Sequence, residues 1–136
     1  MTAPPAEIRD QLFKTFGRAW FKRDIALLYE AVTPDFVWRS SDAFGNVREI
    51  GSRPAIAEAF AEMASKPATV RFVDVVYHHA PEDTFMTFRL VETDAATGLV
   101  REEDGVERYS FRDGRIAIKD VYRKPVQPAI SAPRRA

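Results

Sequence analysis

Apolar side chains recur at helical spacing over the first third of the chain. A stripe at every fourth position, with one more aromatic residue beside it, predicts a first helix. Its residues are Ile8, Leu12, Phe13, Phe16 and Trp20. Asp24 is placed to cap a second helix over residues 25–32, because a carboxylate at the N-cap accepts hydrogen bonds from free backbone N–H groups. Pro34 is expected to end that helix.

A third helix is predicted after a short strand over residues 36–40 and a small hairpin arm over residues 47–51. Ser52 is a favourable N-cap, and Pro54 fits the first helical turn. The apolar stripe of this helix consists of Ile56, Phe60 and Met63.

The second half of the chain alternates between apolar and polar residues, as strands with one buried face do. Four long strands are predicted, over residues 70–79, 84–93, 99–111 and 115–124. Helices first and strands afterwards predict an α+β fold, with three N-terminal helices on one face of a curved antiparallel sheet. A regular turn between the first two of these strands groups Val73, Val75, Tyr77 and His79 with Thr84, Met86, Phe88, Leu90 and Glu92.

The turn at residues 113–114 has the sequence Asp-Gly, a strong signal for a two-residue type I′ hairpin. A regular ladder beyond it places Glu107 opposite Asp120, on one face with Tyr109 and Tyr122. Two carboxyl groups this close in an apolar wall cannot both ionise easily, so the pair predicts proton-transfer chemistry.

Two other interpretations of this pair stay open. The carboxylates are paired with Arg101, Arg108 or Lys119 instead, or the hairpin has another register. The register also decides whether Asp120 and Tyr122, or Lys119, Val121 and Arg123, face inward.

Composition narrows the classes of partner. Twenty basic and twenty acidic residues give zero net charge, which argues against a nucleic-acid or anionic-membrane partner, since both require concentrated positive charge. The chain has no cysteine, no signal-like segment and no long apolar run, so we expect a cytoplasmic protein. His78 and His79 point to opposite faces of a strand, and no set of metal ligands converges; we therefore expect neither metal nor cofactor.

The termini differ from the centre of the chain. Proline-containing residues 1–7 are expected to form a loose arm, residues 8–124 a single domain, and the proline-rich residues 125–136 a tail.

The order of elements, with Gly51-Ser-Arg-Pro-Ala-Ile-Ala-Glu-Ala-Phe60 opening the third helix and Tyr109-Ser-Phe-Arg-Asp-Gly-Arg-Ile116 near the end, resembles the nuclear-transport-factor-like superfamily. Its members include SnoaL-like polyketide cyclases, ketosteroid isomerases and limonene epoxide hydrolases. The resemblance implies a cystatin-like α+β roll, a cone of curved sheet around a deep apolar pocket, often dimeric through the outer sheet face.

The resemblance also assigns candidate positions. The oxyanion-hole tyrosine of ketosteroid isomerases corresponds to Phe16, their general-base aspartate to Ser40 with Asp42 two residues on, and their second acid to a position near Glu107. The last-strand aspartate of the epoxide hydrolases falls near Val121, one place from Asp120. One isomerase group of three is retained, so we do not expect that mechanism.

The candidate catalytic residues are therefore Glu107, Asp120, Asp42 and Tyr109. Glu107 and Asp120 would shuttle a proton, and Tyr109 or Tyr122 would stabilise an oxyanion. Asp42 at the pocket mouth is a carboxylate for the site or a turn former.

Aromatic and other side chains at strand or helix spacing either line a cavity or fill the core. The candidate ligand-binding residues are Phe16, Trp20, Trp38, Ser40, Phe60, Tyr77, Met86, Phe88 and Tyr122.

These residues predict a pocket protein for a hydrophobic, oxygenated small molecule that performs cofactor-free acid–base chemistry as an isomerase, lyase, cyclase or hydrolase. The alternative is a non-catalytic ligand-binding or dimerising module of the same superfamily, and we expect a homodimer in either case. A third interpretation uses Arg108, Arg112 and Arg115 on the last hairpin as a partner interface.

Overall fold

The computed structural model describes residues 3–41, 45–66 and 68–126. Three helices and six strands follow one another along these residues. They are α1 (Ala6–Lys22), α2 (Ile25–Ala31), β1 (Val32–Ser41), β2 (Val47–Ile50), α3 (Arg53–Ser65), β3 (Ala68–His79), β4 (Asp83–Asp94), β5 (Val100–Arg112) and β6 (Arg115–Pro125).

The six strands form one curved sheet in the order β2-β1-β6-β5-β4-β3. All neighbouring pairs are antiparallel except β1 and β6, which run parallel. Strands β1 and β6 are neighbours within the sheet, although β2, α3 and β3 to β5 lie between them in sequence. The predicted α+β fold with three helices and a curved sheet is confirmed.

Helix α1 packs against the core through most of its predicted stripe, with Leu12 and Trp20 partly buried, and Ile8 is the exception. Phe13, Phe16 and Ala19 are buried, whereas Ile8 is 48% exposed. The position that contacts the sheet in the first turn is Arg9, whose guanidinium donates to the carbonyl oxygens of Ala80 (2.6 Å) and Pro81 (3.1 Å). A cation therefore takes the place expected for an apolar side chain, because it satisfies carbonyl groups of the β3–β4 turn.

Helices α2 and α3 begin as predicted. The Asp24 carboxylate accepts a hydrogen bond from the backbone N–H of Leu27, and the Ser52 hydroxyl accepts one from Ala55. Helix α2 ends at Ala31, and Pro34 lies inside β1 and not just past the helix. Proline cannot donate to a ladder, and the pairing of β1 with β6 is interrupted between Val32 and Val37.

Strand β3 contains a bulge that the regular turn did not predict. Tyr77 pairs with Met86 as expected, but Asp74 adopts a positive φ of 54° and the register shifts there. Beyond the bulge Phe72 pairs with Leu90, so Val73 lies on the outer face. An extra residue in one strand reverses the side of the sheet for the residues that follow it.

The last hairpin begins as predicted and then changes register. Asp113 and Gly114 have φ values of 54° and 76°, which fit a type I′ turn. Phe111 pairs with Ile116, but Ser110 pairs with Ile118, so Ala117 is an extra residue in β6. The predicted pairing of Glu107 with Asp120 is therefore wrong.

After the bulge, Tyr109 pairs with Lys119, Glu107 with Val121, and Arg108 with Asp120. Lys119 and Val121 are buried with Glu107 on the inner face. Asp120 shares the outer face with Arg108. The open question of which β6 residues face inward is answered in favour of Lys119 and Val121.

Helix α1 begins at Ala6, inside the expected arm, and β6 ends at Pro125. Residues 127–136 of the expected tail lie outside the described residues. None of the helices in the described part of the chain combines the length and apolar character needed to cross a membrane.

Candidate active site

A cavity of about 480 Å³ lies between helix α1 and the inner face of the sheet. Helix α1 contributes Phe16 and Trp20, strand β1 contributes Trp38, and helix α3 contributes Met63. Strands β3 to β6 supply the opposite wall. The volume of the cavity is within the range of small-molecule sites.

A carboxylate, a phenol and an amine meet on this opposite wall. Glu107 and Tyr109 point inward from β5, and Lys119 points inward from the neighbouring β6. The Tyr109 hydroxyl donates to Glu107 Oε1, and Lys119 Nζ donates to the same oxygen at 3.1 Å. Lys119 Nζ is also 3.5 Å from the Tyr109 oxygen. We refer to these three residues as the Glu107 triad.

The triad is almost completely shielded from water. Glu107 and Tyr109 are each 1% exposed and Lys119 is 4% exposed. An ionised group at such depth must be paired, because transferring a lone charge out of water costs on the order of several kcal/mol. The ion pair between Glu107 and Lys119 meets that requirement.

Aromatic rings also lie close to the amine. Lys119 Nζ lies 4.1 Å from the centre of the Trp20 ring and 5.4 Å from that of Phe16. Rings at these distances favour the charged form of an amine. Burial nevertheless lowers the pKa of Lys119, an effect that Glu107 partly opposes.

Both tyrosines of the cavity keep their protons well beyond neutral pH. Burial raises the pKa of Tyr109 well above its ordinary value, and the nearby Glu107 charge raises it further. Burial, followed by the same charge, raises the pKa of Tyr77 to about 12. These phenols are therefore hydrogen-bond donors in the cavity.

Two polar groups of the cavity wall have a free position for a hydrogen bond, one as acceptor and one as donor. Within residues 3–41, 45–66 and 68–126, both bonds to Glu107 end on Oε1, and no hydrogen-bond donor reaches Oε2. In the same residues the buried indole N–H of Trp38 has no acceptor. Trp38 pairs with Lys119 across β1 and β6, so both features belong to the same part of the cavity.

Just over half of the predicted site residues line the cavity, and the others lie elsewhere or outside the described residues. The seven that line it are Glu107, Tyr109, Phe16, Trp20, Trp38, Tyr77 and Met86. Phe60 and Phe88 are core residues, buried against Trp20 and Phe72 respectively. Ser40 is on the face of Trp38 but outside the cavity lining. Asp42 lies outside the described residues.

Asp120 and Tyr122 belong to the outer face, contrary to the predicted face. The Tyr122 hydroxyl donates to Asp120 Oδ2 at 2.9 Å, and Tyr122 is 50% exposed. The bulge at Ala117 is the reason. The proton-shuttling pair predicted from the sequence is not formed; the partner of Glu107 is Lys119, which had been left as one of three alternatives.

Sequence reasoning also missed Glu103, which belongs to the acidic run Glu102-Glu103-Asp104, a pattern typical of a solvated strand edge. Glu103 is 2% exposed, with Arg101 at 2.7 Å and Arg123 at 3.6 Å. The only indication in the sequence was the alternation of β5: Glu103 is four residues from Glu107, so the two side chains lie on the same face of the strand.

The arginines of the last hairpin are largely engaged within the chain. Arg108 pairs with Asp83, and Arg112 pairs with Asp35. Among the described residues, no group of three or more histidine or carboxylate side chains is arranged to hold a metal ion. His79 instead bonds Thr84 and Asp10.

Known proteins resemble this chain at the level of family and fold. An NTF2-like protein from Burkholderia xenovorans LB400 superposes with a TM-score of 0.71 at 16% identity, over 88% of this chain and 92% of that one. An uncharacterized protein with a cystatin-like fold from Caulobacter vibrioides gives 0.59 at 17% identity, over 93% and 94%.

A protein with a ketosteroid isomerase-like fold from Catenulispora acidiphila DSM 44928, in complex with trimethylamine, gives a TM-score of 0.60 at 13% identity, over 83% and 85% of the two chains. No curated protein matches the sequence. The model of the SnoaL-like domain matches residues 13–118, which run from the middle of α1 into β6 and include Glu107 and Tyr109 but end one residue before Lys119. The chain therefore belongs to the SnoaL-like domain family.

Proposed function

We propose that this protein binds a hydrophobic, oxygenated small molecule in the cavity and abstracts a proton from it, without a cofactor. The observation that carries this proposal is the Glu107 carboxylate, held through Oε1 by Tyr109 and Lys119 while Oε2 has no donor among the described residues. A fixed carboxylate with one uncommitted oxygen on a cavity wall suits a general base.

The cavity also supplies groups that would stabilise the product of such a step. Removing a proton beside a carbonyl group produces an enolate oxygen, which needs hydrogen-bond donors in a dry environment. The unpartnered Trp38 indole N–H and the neutral Tyr77 hydroxyl both line the cavity. Isomerisation, elimination and ring closure at a carbon beside a carbonyl group each have a route through such an intermediate.

The Lys119 amine has a positioning role in this proposal. It neutralises Glu107 at depth and fixes the orientation of Oε1. After Glu107 takes a proton, Lys119 and Tyr109 remain as donors that hold the acid in place. The base thus returns the proton to another carbon or oxygen of the same molecule.

Hydrogen exchange tests the proposal without knowledge of the natural substrate. We would measure the exchange of α-protons of 2-tetralone, a hydrophobic ketone, in D2O by NMR. Glu107→Gln should slow enzyme-dependent exchange by at least about 100-fold, the usual contribution of a general base. The matched control is Asp120→Asn, which removes the carboxyl that faces outward and should leave the rate within about twofold.

The result would contradict the proposal if the wild-type protein exchanged 2-tetralone no faster than buffer, or if Glu107→Gln exchanged it as fast as wild type. The alternative function, a non-catalytic binding module, rests on the buried ion pair as a purely structural element. It predicts that 2-tetralone quenches the fluorescence of the cavity tryptophans without any exchange.

A further inference from the structure

The cavity opens where several elements end. Arg23 follows helix α1 and Lys66 follows helix α3, while Arg101 lies near the start of β5 and Arg123 near the end of β6. All four line the cavity. We call this group of four cationic residues the mouth.

Carboxylates balance only part of this charge. Arg101 pairs with Glu92 and Glu103, and Arg123 approaches Glu103 at 3.6 Å. Within the part of the chain that the structure describes, Arg23 and Lys66 take part in no salt bridge. The mouth therefore carries surplus positive charge beside a cavity with aromatic walls, although the whole chain is neutral.

Two guanidinium N–H groups at the mouth are buried without an acceptor. Among the described residues, Arg23 Nε and Arg123 Nε have no hydrogen-bond partner. Leaving a buried charged donor unsatisfied costs free energy, and native structures seldom contain such groups. Both side chains line the same cavity, so an acceptor that enters it could reach them.

The backbone conformation of Arg23 also indicates that its side chain has a role at the cavity. This residue caps the C-terminus of α1 in the left-handed conformation, with φ of 58°. Glycine is the usual residue there, because a side chain is strained at positive φ. The Arg23 guanidinium folds back onto the Trp20 carbonyl oxygen and so is held at the cavity. A charged residue at a backbone position that favours glycine suggests a functional role for its side chain.

We infer that the mouth binds the carboxylate of an amphipathic organic acid through Arg23 and Arg123, with the apolar body of that acid inside the cavity. This inference rests on the proposed function for its reacting end and names the substrate class. The carboxylate would accept the two uncommitted N–H bonds, and Lys66 would add charge at the rim.

Strand geometry sets the length of such a molecule. Glu107 pairs with Val121, which lies two residues from Arg123 on the same face of β6, and a strand rises about 3.3 Å per residue. The carboxylate would therefore bind about 7 Å from Glu107 along the strand. A substrate whose reactive carbon lies several bonds from its acid group matches this separation.

Binding of decanoate and of the uncharged 1-decanol tests the inference. The chain has two tryptophans, Trp20 and Trp38, and both line the cavity, so intrinsic fluorescence reports its occupancy; calorimetry would give the dissociation constants. We expect decanoate to bind at least about tenfold more tightly than 1-decanol, with a preference that weakens as salt rises.

Three variants separate the mouth from general effects. Arg23→Gly and Arg123→Gln should each weaken decanoate binding about tenfold and leave 1-decanol unchanged. Arg23→Gly should not lower the melting temperature, because glycine is favourable at that backbone position. The control is Arg115→Gln, an exposed arginine beside the hairpin turn, which should alter neither affinity.

Absence of decanoate binding, equal affinity for the two probes, or an equal loss of both probes in Arg23→Gly would overturn the inference. Glu107→Gln should retain the preference for decanoate, since that residue is not in the mouth. A decanoate preference without 2-tetralone exchange would refute the proposed chemistry alone, and exchange without the preference would refute the mouth alone.

Discussion

Glu107 and Lys119 illustrate how one buried pair links stability to the site. Each is compatible with the interior only because the other is present, 3.1 Å away. Glu107→Gln or Lys119→Met should each lower the free energy of unfolding by about 3 kcal/mol, whereas the double variant should regain most of that loss. Urea unfolding of the four proteins measures the coupling. Additive losses would mean that the two groups are independent.

The same pair has a pH signature with a defined sign. The pKa of Lys119 lies below its ordinary value, so the folded protein binds fewer protons than the unfolded chain at alkaline pH. Stability from this group therefore rises with pH up to about 10. Glu107→Gln removes the opposing charge, lowers the pKa of Lys119 further and should make the total rise larger and start it at a lower pH. A flat stability profile in Glu107→Gln would contradict this electrostatic account.

The four tyrosines act in the opposite direction. Burial is the first cause of the raised pKa of Tyr29, Tyr77 and Tyr109, and the hydrogen bond to Asp120 is the first cause for Tyr122. Their folded pKa values lie above the unfolded value. The stability they contribute is complete below about pH 10 and is lost as pH rises through the folded values.

Ultraviolet absorbance of phenolate tests this prediction directly. At about pH 10 the urea-unfolded chain should be half ionised, whereas the native protein should show little phenolate. Tyr77→Phe should remove a titration step at about 12. Tyr122→Phe is the control on the outer face and should leave that step in place. Titration of a native tyrosine pair near 10 would disprove the placement of these hydroxyls.

Two bulges show what the sequence could and could not determine about the strands. The alternation of β4 to β6 and the turn at residues 113–114 predicted the elements to within a residue or two. The extra residues Asp74 and Ala117 leave no mark on that alternation. The bulge at Ala117 coincides with the interrupted pairing of β6 with β1 around Pro34, whereas the bulge at Asp74 is in the edge strand β3, which pairs with β4 alone.

The outcome for the site follows from those bulges. Glu107 and Tyr109 precede the turn and keep the predicted inner face, whereas Asp120 and Tyr122 follow the bulge and change sides. The hydrophobic periodicity of α1 was enough to predict its aromatic lining, because Phe16 and Trp20 are one turn apart. The same pattern could not predict Lys119 and Glu103 as inner residues, because a buried charged residue looks like a solvated one in a sequence.

Gly105 shows how closely β4 and β5 pack behind the cavity. Phe88 pairs with it across the strands, and a β-carbon on residue 105 would lie 2.2 Å from the Phe88 ring. Gly105→Ala should therefore cost about 1–3 kcal/mol, because the buried ring must move. Gly17→Ala, a helical position with open space around it, should instead stabilise by about 0.5–1 kcal/mol. Thermal unfolding compares the two.

At the scale of the whole molecule, the outer face of the sheet has a row of apolar positions at its centre. Val76, Thr87, Val106 and Tyr122 pair successively across β3, β4, β5 and β6. Three of them are large hydrophobic residues with 37% to 50% of their surface exposed. Ion pairs of Arg89 with Glu102 and Asp104 border the row. Exposed apolar area at the centre of a sheet, with charged residues around it, favours association.

We therefore expect a homodimer in which the row meets its copy about a two-fold axis, since an isologous contact places the same patch on both subunits. Val106→Arg introduces a like charge opposite itself at that axis and should give a monomer by analytical ultracentrifugation. Val47→Arg, an equally apolar but exposed position on β2, is the control and should leave the dimer intact.

The cavity opens on the opposite face of the sheet from the row, so the two properties can be separated. A Val106→Arg monomer should still bind decanoate, and its affinity should match that of the dimer if each cavity is complete within one chain, as its lining residues indicate. A wild-type protein that sediments as a monomer at all concentrations would exclude the outer face as a dimer interface. Loss of decanoate binding in the monomer would instead show that the sheet needs its partner to keep the curvature that forms the cavity.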